Sequence, residues 1–102
     1  MHEATDPGES SELAARCHPA TVWAVDQTGV RVLRRDTGKT RHLPYPDAAV
    51  WDLVTRRVPA PRLVTMISTL IGEERSSAGA WIARTIRQWK QEGWLIGGEG
   101  DG

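Results

Sequence analysis

The chain has 102 residues, 39% hydrophobic and 25% charged, with 13 Lys and Arg balancing 13 Asp and Glu. This length supports one domain with one modest core. No apolar run approaches the ~18 residues of a membrane-spanning helix, and a single cysteine, Cys17, excludes an internal disulfide framework.

The first 19 residues mix Gly, Pro, Ser and Glu and lack the basic start and apolar stretch of a secretory signal. A reducing, cytoplasmic setting is the simple expectation. Glu3, Asp6, Glu9 and Glu12 stand against Arg16, so residues 1–19 are expected to form a disordered acidic arm. At the other end, residues 97–102 read as a flexible tail carrying Glu99 and Asp101. The segment between, residues 20–96, holds 12 Lys and Arg and 7 Asp and Glu, a surplus of +5. Such a surplus suits an acidic partner but is small for a dedicated nucleic-acid binder.

Three strands come first. "TVWAVD" (21–26) alternates, "QTG" turns, and "VRVLRR" (30–35) alternates Val30 and Val32 against Arg31 and Leu33. "DTG" turns again, and "KTRHL" (39–43) is the third strand. Short strands joined by tight glycine turns predict an antiparallel meander, in which the first and third strands are both edges. A cluster of Arg31, Arg34, Arg35, Lys39 and Arg41 predicts a solvated, aggregation-resistant sheet surface.

From residue 44 the spacing becomes helical. Helix one is expected over 46–56, with Pro46 in its first turn and Ala49, Val50, Leu53 and Val54 as its buried stripe. Helix two starts at Pro61 and buries Leu63, Met66, Ile67, Leu70 and Ile71. Helix three, about 78–92, is capped by Ser76 or Ser77 and buries Ile82, Ile86 and Trp89; Gly93 ends it, and Trp94, Leu95 and Ile96 fold back on the core. The fold class is therefore α+β: a three-stranded antiparallel sheet followed by three helices, winged helix-turn-helix-like.

Chemistry is sparse. Cys17 and His18 are adjacent rather than at zinc-ligand spacing, and His42 reads as a strand residue, so no metal is expected. No nucleophile elbow, carboxylate pair or glycine-rich phosphate loop occurs, so no catalytic residue and no cofactor is assigned. Asp26 and Asp36 read as turn residues, and Asp47 as favourable to a helix dipole. Trp51, Trp89 and Trp94 supply core bulk in a chain without Phe. Trp81 points off the helix-three stripe, as a half-covered surface residue or a groove wall.

The order of these parts resembles the PqqD-like family, the peptide-binding modules called RiPP recognition elements. The resemblance rests on "LPYPDAAVWDLV" (Leu43 to Val54), on "RLVTMISTLI" in helix two, and on Ile82, Ile86, Trp89, Gly93, Trp94 and Leu95 in order; it covers residues 20–96. Pro44, "TRR" (55–57), Trp81 and Thr85 depart from the usual pattern. The resemblance implies a non-catalytic chaperone that binds the leader of a ribosomally made precursor peptide as an added strand. It would present the leader to a modifying enzyme such as a radical SAM enzyme, a cyclodehydratase or a leader peptidase. The implied binding residues are the backbone of Lys39, Thr40, Arg41, His42 and Leu43, with Trp81, Arg84, Thr85 and Gln88 on helix three; Lys39, Arg41 and Arg84 would attract acidic leader residues. The alternative is a winged-helix DNA-binding regulator using Arg84, Arg87 and Lys90. No membrane partner is expected, and the small basic surplus weighs against nucleic acid.

Overall fold

The computed structural model describes residues 13–97. Its elements in chain order are β1 (Ala15–Cys17), β2 (Thr21–Asp26), β3 (Gly29–Arg34), β4 (Thr40–Pro44), α1 (Asp47–Thr55), α2 (Ala60–Ile71), α3 (Arg75–Glu92) and β5 (Leu95–Gly97). The three central strands form an antiparallel sheet in the order β2-β3-β4, with Trp23 opposite Val32 and Val32 opposite Arg41. Three helices follow, so the α+β class and the order of strands before helices agree with the sequence.

Two short strands were not anticipated. β1 pairs antiparallel with β5, Cys17 opposite Leu95 and Ala15 opposite Gly97. Residues 13–19, which composition placed in a disordered arm, thus belong to the fold, and Leu13 is buried. The expected tail likewise starts later, because Gly97 is a strand residue. Residues 1–12 and 98–102, the remainder of the expected arm and tail, lie outside the described residues. A three-residue strand is too short to show a period, which is why pattern alone passed over both.

The core forms because one face of the sheet is apolar. Val30, Val32 and Leu43 share that face and pack with Val50, Trp51 and Val54 of α1, Leu63 and Ile67 of α2, and Ile82, Ile86 and Trp89 of α3. Trp51 meets Trp89 edge-on at 5.4 Å and Trp23 edge-on at 5.9 Å, a row of indoles from core to surface. In α1 the buried set is Ala48, Val50, Trp51 and Val54, while Ala49 and Leu53 are only half-buried. In α2, Leu63, Val64 and Ile67 face inward, and Met66 and Leu70 are exposed. Both expected stripes were therefore rotated by about one position, because tertiary docking selected one of two neighbouring apolar faces.

α3 starts at Arg75, not at a serine cap. Glu74 occupies the cap position and makes no side-chain capping bond. Its other end follows expectation: Gly93 is left-handed at φ +89°, its N–H donates to the Lys90 carbonyl (3.1 Å), and the Trp94 N–H donates to the Trp89 carbonyl (3.0 Å). This pair of bonds is the Schellman closure. Arg34 donates to the Gly93 carbonyl (2.8 Å), so this member of the basic cluster ties β3 to the end of α3.

Gly29, opening β3, controls the strand edge opposite it. Its φ is +146°, and a Cβ there would lie 2.1 Å from the Leu43 carbonyl oxygen. We predict that Gly29→Ala destabilises the protein by more than about 1 kcal/mol, because it combines a disfavoured φ with a backbone clash. Urea unfolding checks this; an unchanged midpoint would show that β4 moves aside freely.

Candidate functional site

The direction of the free backbone groups follows from two bonds. The Arg34 N–H donates to the Lys39 carbonyl and the Arg35 N–H to the Ala20 carbonyl, each at 2.8 Å. Backbone groups alternate sides along a strand. In the observed register, Arg41 and Leu43 therefore turn their backbone groups inward to β3, and Thr40, His42 and Pro44 turn theirs outward. The outer edge of β4 offers N–H and C=O groups at Thr40 and His42 and a carbonyl alone at Pro44, since proline has no N–H.

Side chains follow the opposite rule and alternate between faces. Leu43 is buried in the core and Arg41 lies on the same face, directed at α3. There its guanidinium pairs with Glu92. Glu92 is also reached by Gln88 Nε2 (2.9 Å) and Trp94 Nε1 (2.8 Å). Burial pushes the Glu92 carboxyl up, but the bonds from Arg41, Gln88 and Trp94 outweigh it and hold the group below its ordinary value. His42 and Thr40 point to the other face, where His42 Nε2 meets the Thr28 hydroxyl at 2.9 Å. That hydroxyl in turn donates to Asp26 (2.7 Å), giving Asp26 its expected turn role. Lys39 lies in the preceding turn with Nζ 5.8 Å from the Trp94 ring centre.

On α3, residues 81, 85, 88 and 92 fall at helical spacing on one stripe beside the core face. Trp81 and Thr85 are half-buried and Gln88 and Arg84 exposed. This stripe and the β4 edge bound a groove. Its far end opens into a cavity of about 480 Å³ lined by Pro46, Asp47, Ile71, Glu73, Ser77 and Trp81. Burial raises the Asp47 carboxyl, an effect Arg41 partly offsets.

The structure thus brings Arg41, Gln88 and Trp81 to the same groove and gives the backbone of Thr40 and His42 to its edge. It does not bring the side chains of Leu43, His42 and Thr40 there. The expected attraction of acidic residues by Arg41 meets a guanidinium already engaged by Glu92. Glu92, Asp47 and Glu73 were missed as groove residues, although Glu92 sits eleven residues after Trp81 and hence on its stripe.

A solved structure shares this fold. It is "Lasso peptide synthetase B1 complexed with the leader peptide", which matches with a TM-score of 0.75 and 18% sequence identity, covering 81% of this chain and 98% of that one. No family model matches the chain, and no curated protein matches it.

For other chemistries the geometry offers little. Burial pushes the Cys17 thiol up to about 11, which leaves it a poor nucleophile. Among the described residues no three His, Cys, Asp or Glu side chains converge as a metal site, and no helix is long and apolar enough to cross a membrane. Arg84, Arg87 and Lys90 succeed one another at steps of three, about 60° apart, so they lie along one side of α3, where Arg84 and Arg87 are exposed and Lys90 is half-buried.

Glu92 gives a pH prediction. Its folded pKa is depressed, so its contribution is present above the ordinary carboxylate range and is lost as pH falls through the folded value. Glu92→Gln should flatten the acid limb of thermal stability while costing at most about 1 kcal/mol near neutrality, the range of partly exposed ion pairs. Parallel acid limbs in melts of wild type and variant would show that the carboxylate does not hold this end of the groove.

Proposed function

We propose that this protein is a leader-peptide-binding module of the RiPP recognition element type, with the PqqD-like character its sequence order suggests. The observation that carries the reading is the outward backbone of Thr40 and His42 running beside the Trp81–Glu92 stripe. An extended peptide adds to such an edge as a further strand, and side-chain pockets alongside set its specificity. The lasso peptide synthetase B1 protein, which shares the fold, was solved with a leader peptide. The chain contributes binding and delivery, not catalysis. Holding the leader next to a modifying enzyme raises the effective concentration of the core peptide at that enzyme's active site.

The pocket at the far end adds a preference. Trp81, Ile71 and Pro46 give it apolar walls, and Asp47 and Glu73 give it a carboxylate rim. A large apolar leader side chain next to a Lys or Arg fits it. This replaces the acidic leader expected from the basic residues alone.

Amide chemical-shift mapping with a leader peptide from a neighbouring precursor gene tests the reading, with duplex DNA as a parallel titrant. Shifts at Thr40, His42 and the Trp81–Glu92 stripe with peptide are expected. Silence with peptide and shifts at Arg84, Arg87 and Lys90 with DNA would instead make the protein a regulator. Trp81→Ala should weaken the leader about tenfold, a loss of about 1.4 kcal/mol, with the fold intact by circular dichroism. A proline placed in the leader where its N–H faces His42 should abolish binding. Equal affinity in calorimetry for either change would argue against strand addition.

A further inference from the structure

Among the described residues the other edge of the sheet has no partner strand either, and it is chemically different. β2 alternates oppositely to its partner: Val22, Ala24 and Asp26 turn their backbone groups to β3, so Trp23 and Val25 present N–H and C=O groups outward. Val22, Trp23 and Val25 are 38%, 43% and 63% exposed, which is high for residues of this type. Edge strands of monomers usually carry Lys, Pro or a bulge that blocks pairing. β4 carries Arg41, His42 and Pro44, whereas β2, "TVWAVD", carries none of these devices within its six residues.

We infer that β2 pairs with β2 of a second copy, antiparallel about a two-fold axis at Ala24. Strand parity selects this kind of register. Faces match across an antiparallel two-fold only when the paired numbers sum to an even value, and a sum of 48 uses the strand from Val22 to Asp26. It sets Trp23 opposite Val25 of the second copy, both on the core-side face and both with free backbone groups. Ala24, whose own backbone groups are spent on β3, lies on the axis in a non-hydrogen-bonded pair.

The charges agree with this seating. The strand's one charge, Asp26, lands opposite Val22 of the other copy, far from its own twin. It lies on the outer face about 10 Å, two strand spacings, from the strand bearing Arg31 and Arg35. Arg31 is already paired with Asp26 of its own chain at 3.4 Å, whereas Arg35, beside the small Ala20, has a clear reach toward the second copy's carboxylate. The result is a closed, isologous dimer with one six-stranded sheet. Both β4 edges stay free at its two ends, so a module that binds leaders there is bivalent. That last consequence alone rests on the function proposed above.

Sedimentation velocity of the full chain without peptide tests the dimer. A species of twice the 11.3 kDa chain mass should grow with concentration. Val25→Pro should abolish it, because it removes an outward N–H while sparing the β2–β3 ladder. Ala24→Cys should cross-link quantitatively under mild copper–phenanthroline oxidation, since non-hydrogen-bonded pairs place Cα atoms about 4.5 Å apart. Wild type, with only half-buried Cys17, is the control. Should the proline variant not fold by circular dichroism, the cross-link decides. A monomer at every concentration, a dimer that survives Val25→Pro, or an Ala24→Cys dimer that does not cross-link each overturns the proposal. Monomers whose β2 amides become protected only when a modifying enzyme is added overturn it as well. Because no leader is present, none of these outcomes bears on leader binding.

Discussion

A three-stranded sheet has one interior strand, and every other feature of this protein answers to that constraint. Among the described strands of this sheet only β3 is paired on both sides. Its Val30 and Val32, with Leu43 beside them, are what the helices cover. The price is two open edges, each a row of amides and carbonyls without partners among the described residues. The helices stabilise the sheet from one face and cannot close those edges, because a helix satisfies its own backbone bonds. Gly29 shows how tightly the arrangement is drawn: at the β3 entry the backbone passes so close to the Leu43 carbonyl that no side chain fits.

Electrostatics then differentiates the groove on the β4 side. Arg41 shares the face of Leu43, which commits its guanidinium to α3 and not to solvent. Glu92 receives it together with Gln88 and Trp94, so one carboxylate joins strand, helix and the closing segment. The end near Lys39 is therefore neutralised internally. At the opposite end Asp47 and Glu73 have no such network at the cavity rim. The groove becomes polar in sign along its length, although the formal charge of the whole chain is zero.

Much of this was legible in the sequence. Alternation located all three strands of the sheet, and the glycine turns gave their antiparallel order. Trp89, Ile86 and Ile82 identified the buried face of α3, and Gly93 its end. What the pattern did not carry was whatever depends on partners distant in sequence. Ala15 and Cys17 look like part of a polar arm until β5 supplies their partner strand, and Leu13 until the core takes it in. Met66 and Leu70 look like core until α2 docks on Val64. Glu92 looks like a last-turn acidic residue, unfavourable against the helix dipole; it is retained among three donors that only the fold assembles. Local periodicity reports faces, and it is silent on which of two adjacent apolar faces is chosen.

The two edges share a backbone device and differ in side chains, and the difference suits different lifetimes. At β4 the strand is short, interrupted by Pro44 and flanked by charged groups. A guest strand there gains a few backbone bonds and must find its remaining affinity in the side-chain pocket beyond Trp81, as transient, sequence-dependent binding requires. At β2 the strand is longer, apolar on both faces and free of charge until Asp26. An occupant gains apolar burial along the whole strand with little sequence discrimination, and this favours a partner that is always present at the protein's own concentration. A copy of the chain meets that condition by construction, and the parity of the strand lets it seat with its apolar face matched to its twin.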